Sequence, residues 1–125
     1  MTVLADTHSL VWALVEPERL SKAARGALGE SDVCVSVVSL WELILKRRKK
    51  GALLTEPVPW WKRNVVDAGI PILGIRNAHV VMLDELPDHH RDPFDRMLVA
   101  QATCEDMALV TKDPHVKAYG VRVIW

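Results

Sequence analysis

Five short β-prone, largely apolar runs, separated by segments of helical periodicity, constrain this chain more than any other feature. The runs are Val3–Asp6, Val33–Val37, Ile70–Leu73, Leu109–Thr111 and Val121–Ile124. The helical patterns between them are Ser9–Val15, Ser21–Leu28, Leu40–Lys50, Trp60–Ala68, Asn77–Leu83 and Pro93–Asp106. Such alternation predicts βαβ units and a mainly parallel sheet, and runs that are apolar throughout suit strands covered on both faces. No repeat, low-complexity tract or linker interrupts the pattern, so residues 1–125 are expected to form one α/β domain.

Composition narrows the function classes. Lys plus Arg is 16 and Asp plus Glu is 16, for a net charge of zero. This excludes a nucleic-acid binder that works by bulk positive charge, though not one with a local basic patch. No apolar run approaches the roughly 18–20 residues of a membrane helix, and the N-terminal segment lacks the pattern of a secretory signal. Cys34 and Cys104 are the only cysteines, too few for a disulfide framework or a thiolate cage. A cytoplasmic protein with no membrane association is expected.

Local signals place several acids. Ser39-Leu-Trp-Glu42 fits a capping box, with Ser39 at the N-cap. Asp92-Pro-Phe-Asp95 offers an Asp N-cap, Pro at the first helical position and a second Asp at the third. Gly51, after the cations that end at Lys50, reads as a helix stop. Asp6 ends the first strand run, and Asp113 follows Leu109-Val-Thr111 by two residues. In open α/β sheets ligands bind at the carboxyl ends of strands. Asp6, Glu42, Asp95 and Asp113 can therefore meet at one edge. Four carboxylates there would repel one another and raise some of their pKa values. A hard divalent ion such as Mg²⁺ or Mn²⁺ resolves that conflict. Capping and turn roles account for each acid singly, and spacing alone leaves both readings open.

Longer segments break the tie. Ala5-Asp6-Thr7-His8-Ser9-Leu10-Val11-Trp12, Ser39-Leu40-Trp41-Glu42, the stretch from Leu86 to Ala102 containing Asp88-His89-His90-Arg91-Asp92-Pro93-Phe94-Asp95-Arg96, Leu109-Val110-Thr111-Lys112-Asp113 and the closing Tyr119-Gly120-Val121-Arg122-Val123-Ile124-Trp125 together resemble the PIN-domain ribonucleases. Within that family the likeness is to the VapC-type toxins of bacterial toxin–antitoxin pairs. The resemblance covers the whole chain. It implies a three-layer α/β/α fold with a mainly parallel sheet of about five strands. It also implies a Mg²⁺- or Mn²⁺-dependent endoribonuclease that uses one or two ions. Carried over by position, Asp6, Glu42, Asp95 and Asp113 are the catalytic and metal-binding acids, and Ser39 and Thr111 line the same pocket from behind. Asp92 is kept as the helix cap beside them. Whether Glu42 ligates directly, ligates through water or helps deprotonate the attacking water stays open. The family also implies a homodimer and a cognate antitoxin that covers the pocket.

The remaining features are weighed on their own. Lys46-Arg47-Arg48-Lys49-Lys50 is the one basic run. Extended as helix, it would reach about 12 Å from Glu42 to Lys50, close enough for RNA phosphates; a solvated helix end is the alternative. Lys46, Arg47 and Arg48 are thus candidate substrate contacts; the resemblance makes His90 a motif position with a loop-structural or substrate-contact role, and Arg96 suits pairing with a nearby acid or, as the alternative, contact with phosphate. Adjacent His89 and His90 point in different directions and make a poor zinc chelate. Trp12 and Trp41 read as core, while one of Trp60 and Trp61 should face outward; Leu53-Leu54 and Trp60 could line a partner groove, with loop packing inside the domain as the equal alternative. A receiver-like signalling module would want paired acids after the first strand and an Asp after a middle strand. Here one acid follows the first strand, and Gly74 follows Ile70-Pro-Ile-Leu73. A catalytically silent PIN-like binding module remains the other alternative.

Overall fold

A computed structural model describes residues 1–125. Its sheet has five strands, β1 (Thr2–Ala5), β2 (Asp32–Ser36), β3 (Ile72–Leu73), β4 (Ala108–Val110) and β5 (Val123–Ile124), in the order β3-β2-β1-β4-β5. Every pairing is parallel. The helices are α1 (Thr7–Val15), α2 (Lys22–Glu30), α3 (Val37–Lys46), α4 (Pro57–Trp61), α5 (Asn77–Glu85) and α6 (Pro93–Cys104), with a π turn at Lys62–Val66 and 3₁₀ turns at Pro17–Arg19 and Pro114–Tyr119. The chain starts at the centre of the sheet, steps outward to β3, and crosses back to β4 and β5. The strand order therefore reverses between β1 and β4, where open α/β sheets place their ligands.

Side-chain alternation along the strands makes the three layers. Leu4, in register with Cys34 and Leu109, joins Val38, Phe94, Met97 and Leu98 under α3 and α6. Val3 and Ala5 turn to the opposite face. There Val3, Ala108 and Val110 meet Trp12, Leu20 and Ala24, while Ala5 and Val35 meet Leu10, Trp61 and Val65. Leu98 is wholly buried, so Leu98→Ala should cost about 2–5 kcal/mol. No helix is long and apolar enough to cross a membrane.

The structure corrects four local expectations. The third helix starts at Val37, with Ser36 as its N-cap accepting from the Val38 N–H at 3.0 Å. Ser39 is therefore not a cap and forms no capping box with Glu42. Burial explains the choice: Ser36 is the last residue of β2 and must satisfy its polar groups at once. The same helix ends at Lys46 rather than Lys50. Residues 47–50 form turns closed by Lys49 N to Lys46 O at 3.1 Å, and Gly51 has φ of +80°, since like charges at helical spacing oppose continuation. Trp12 is core, but Trp41 is half exposed, packing edge-on against Phe94 at 4.9 Å. The expected helix Trp60–Ala68 is instead α4, opened by Pro57, followed by the π turn. Trp61 is buried and Trp60 partly so.

Candidate active site

Asp6 ends β1 and caps α1. Its Oδ1 accepts the Ser9 N–H at 2.8 Å, and its own N–H bonds Val110 O at 3.0 Å, tying it to β4 across the switch point. The Ser9 hydroxyl donates to the same Val110 carbonyl at 3.1 Å. Burial pushes the Asp6 carboxyl above its usual range, against hydrogen bonds from Thr111 and Ser9. Thr111, buried just beyond β4, also accepts the Asp113 N–H at 3.1 Å. One hydroxyl thus links the acids that follow two adjacent strands.

Glu42 and Ser39 lie on the inward face of α3 with Val38 and Leu43. Thr7 Oγ1 donates to Glu42 Oε1 at 2.5 Å and lies 3.0 Å from Ser39 Oγ. Lys46 Nζ donates to Glu42 Oε2 at 2.5 Å and to Asp92 Oδ2 at 3.2 Å. Asp92 caps α6 as expected, its Oδ1 accepting from the Phe94 and Asp95 N–H groups at 2.8 and 3.3 Å. Burial pushes the Asp92 carboxyl up, but Lys46 and the Phe94 N–H outweigh it and hold it below the usual range. Burial likewise opposes the charge on Lys46, but Glu42 and Asp92 raise its pKa.

Asp95 has no such cation. Burial first, then the charges of Asp92, Glu42 and Asp6, push its carboxyl up to about 7, with His90 opposing. Asp113 caps the last 3₁₀ turn and accepts the His115 N–H at 2.9 Å. Burial raises its pKa, but the His115 N–H, His90 and the His115 ring together hold it below the usual range.

Asp95 and Asp113 meet at His90, whose inward orientation the sequence did not reveal. Its Nε2 lies 2.5 Å from Asp113 Oδ2 and 3.3 Å from Asp95 Oδ2, while its Nδ1 accepts the Asp92 N–H at 3.0 Å. One ligand atom each from His90, Asp95 and Asp113 falls within 4.8 Å of the others, a spacing suited to a metal ion. His89 turns away to Tyr119, ring centroids 5.1 Å apart, so the two histidines do diverge.

Asp6, Glu42, Asp92, Asp95 and Asp113 line a single open cleft of about 470 Å³, with Lys46 and Lys112 also on its wall. His8, Trp12, Pro114 and His115 complete the lining; sequence reasoning placed Trp12 in the core and gave the other three no part in the site. An adjoining groove of about 140 Å³ shares His8, Glu42 and Lys46 and adds Lys49 and Lys50. Arg47 and Arg48 are not brought to either space; they line a separate depression with Thr55, Glu56 and Pro57. Arg96 is also outside the cleft. Its guanidinium holds the loop before α6, donating to Pro87 O at 2.9 Å and Leu83 O at 3.2 Å, with Asp88 at 3.7 Å.

The donor set is carboxylate oxygen with one imidazole, which suits a hard divalent cation. Burial, followed by the neighbouring carboxylates, accounts for the raised Asp95 carboxyl.

Comparison with known proteins bears on the family and the fold. The PIN domain family model matches residues 3–121. Ribonuclease VapC22 of Mycobacterium tuberculosis is 32% identical over 120 residues, covering 94% of this chain and 92% of that protein. The fold resembles FitAcB from Neisseria gonorrhoeae, with a TM-score of 0.70 at 17% identity over 98% of this chain and 96% of that one. It also resembles VapBC-5 of Mycobacterium tuberculosis, a member of the VapBC family of toxin–antitoxin systems, with a TM-score of 0.61 at 16% identity over 98% and 96%. A match that runs from the first strand almost to the last, together with acids gathered at the reversal of strand order, leads to one assignment: the chain belongs to the PIN domain family.

Proposed function

We propose that the protein is a divalent-metal-dependent endoribonuclease and the toxin of a toxin–antitoxin pair. The observation that carries this reading is the convergence of Asp6, Glu42, Asp95 and Asp113 from four separate elements into one cleft. Its relative's name, a VapC ribonuclease, supports RNA as the substrate. The likeness to a VapBC toxin–antitoxin structure supports an antitoxin as the partner.

In this reading Asp6, Asp95 and Asp113 hold the ion, Mg²⁺ or Mn²⁺. A bound ion supplies a water of lowered pKa and neutralises charge on the phosphate. The chain's own residues set the stage. Ser9 and Thr111 fix the Asp6 carboxylate, Thr7 fixes Glu42, and the α6 N-terminus carries Asp95 where the helix dipole favours its ionised form by roughly 0.3–1 kcal/mol. Lys49 and Lys50, in the adjoining groove, suit the phosphates next to the scissile bond. Trp41, Leu45 and Val58 are exposed apolar residues suited to an association surface, consistent with a homodimer.

The test is incubation of mixed cellular RNA with purified protein in Mn²⁺, in Mg²⁺ and in chelator, beside Asp6→Asn. Metal-dependent cutting that disappears in the variant is expected. Equal cutting by the variant, or cutting that survives the chelator, would reject the assignment.

A further inference from the structure

Lys46 stands apart from the rest of the basic run. It is the last residue of α3, one turn beyond Glu42, and its side chain lines both the acidic cleft and the adjoining groove. Nζ donates to Glu42 and to Asp92, and it sits 5.4 Å from the centre of the Phe94 ring. An ammonium has three N–H donors, so one remains for a further acceptor, and the side chain is 36% exposed.

Glu42 is correspondingly committed. Each of its carboxylate oxygens accepts a hydrogen bond of 2.5 Å, one from Thr7 and one from Lys46, and its side chain is 6% exposed. The cluster thus divides in two. Glu42 and Asp92 share a cation supplied by the protein. On the other side no lysine or arginine pairs with Asp6, Asp95 or Asp113; His90 touches Asp95 and Asp113, and the His115 ring touches Asp113.

We propose that the Lys46 ammonium takes the part a second divalent ion would play: the centre binds one ion per chain, on the Asp6, Asp95 and Asp113 side. Lys46 is then a catalytic residue, its free N–H meeting a non-bridging oxygen of the scissile phosphate. It contributes fixed positive charge and transfers no proton. Glu42 and Asp92 are positioning residues that hold Nζ over the cleft. The inference rests on the metal-nuclease reading of the site and adds to it the number of ions and a role for a residue outside the acidic set.

Calorimetric titration of the purified full chain with Mn²⁺ counts the ions without reference to cleavage. The wild type should bind one per chain. Lys46→Met leaves Glu42 and Asp92 unanswered, so it should bind two, the second more weakly. Its cleavage at low Mn²⁺ should fall about 100-fold, the usual effect of one lost electrostatic contact to a transition state, and recover in part as Mn²⁺ rises. Lys46→Arg should keep one ion and most of the turnover. Lys46→Gln, which retains an N–H for Glu42 without the charge, replaces the Met variant if that one melts early, and should also bind two. Two ions on the wild type would overturn this inference alone, as would a single ion on the uncharged variants whatever their turnover. No Mn²⁺ bound by the wild type would remove the metal reading of the site as well.

Discussion

Asp92 and Asp95 lie three residues apart in the first turn of one helix, face the same cleft, and respond to it in opposite ways. Asp92 is held below the usual carboxylate range by Lys46 and the Phe94 N–H despite its burial. Asp95 is pushed up to about 7 by burial and by the charges of Asp92, Glu42 and Asp6. The helix end favours both anions, so it does not make the difference. The difference is which acid owns a cation. One half of the cleft is an ion-pair network built around Lys46; in the other, Asp95 is buried among carboxylates with no lysine or arginine to pair with, the kind of perturbed acid that clusters at functional sites.

That contrast can be broken by substitution. Asp95→Asn and Asp6→Asn should each lower cleavage by more than about 100-fold, the upper end of what even outer partners of a metal cost. Asp92→Asn should lower it less, because the amide oxygen still accepts at the helix end; comparable losses in steady-state cleavage assays would erase the distinction between the halves.

Next in size is the pH response. The Asp95 carboxyl titrates near 7 in the folded chain against 3.8 ordinarily, so an ion must displace its proton. Affinity for Mn²⁺ should rise about tenfold per pH unit up to about 7 and level off above it. The Asp95→Asn variant should lose that slope, as titrations at pH 6, 7 and 8 would reveal.

A smaller effect concerns stability without metal. Because its folded pKa is raised, Asp95 keeps a proton that the unfolded chain loses, so its contribution to stability falls as pH climbs from about 4 to about 7. At pH 8 in chelator, Asp95→Asn should therefore melt a few degrees higher than the wild type, corresponding to on the order of 1–2 kcal/mol. Asp92→Ala should instead melt lower, by about 1 kcal/mol for the lost cap.

The smallest expected effect is on RNA affinity. Replacing Lys49 and Lys50 with Ala should flatten the dependence of log K on log salt by about 1–2. The same change at Arg47 and Arg48 should flatten it less, since those two line a different depression.

The sheet was legible because Leu4, Val35 and Leu109 belong to runs apolar on both faces, which a buried parallel sheet requires. The site's acids were legible because Asp6 and Asp113 fall just past strand ends and Asp92-Pro93 announces a helix cap. What escaped was orientation. The buried stripe of α3 spends two of its four positions on Ser39 and Glu42, so apolarity misassigned Trp41 to the core while polar residues took the inward face. Ser36 and Ser39 both satisfy the composition of a cap, and only the end of β2 decides between them. His90 was unreadable as the hub of Asp95 and Asp113 because a His-His pair carries no record of which ring turns inward. The basic run gave no hint that Lys46 alone would enter the cluster, since that depends on where the helix stops.

The account turns on the ion belonging to the half of the cleft that lacks a cation. Mn²⁺ binding followed by electron paramagnetic resonance at pH 8, in wild type, Asp95→Asn and Asp92→Asn, measures this directly. The expected result is at least about tenfold weaker binding in Asp95→Asn, with Asp92→Asn close to wild type. Equal weakening in both variants, or none in Asp95→Asn, would contradict it.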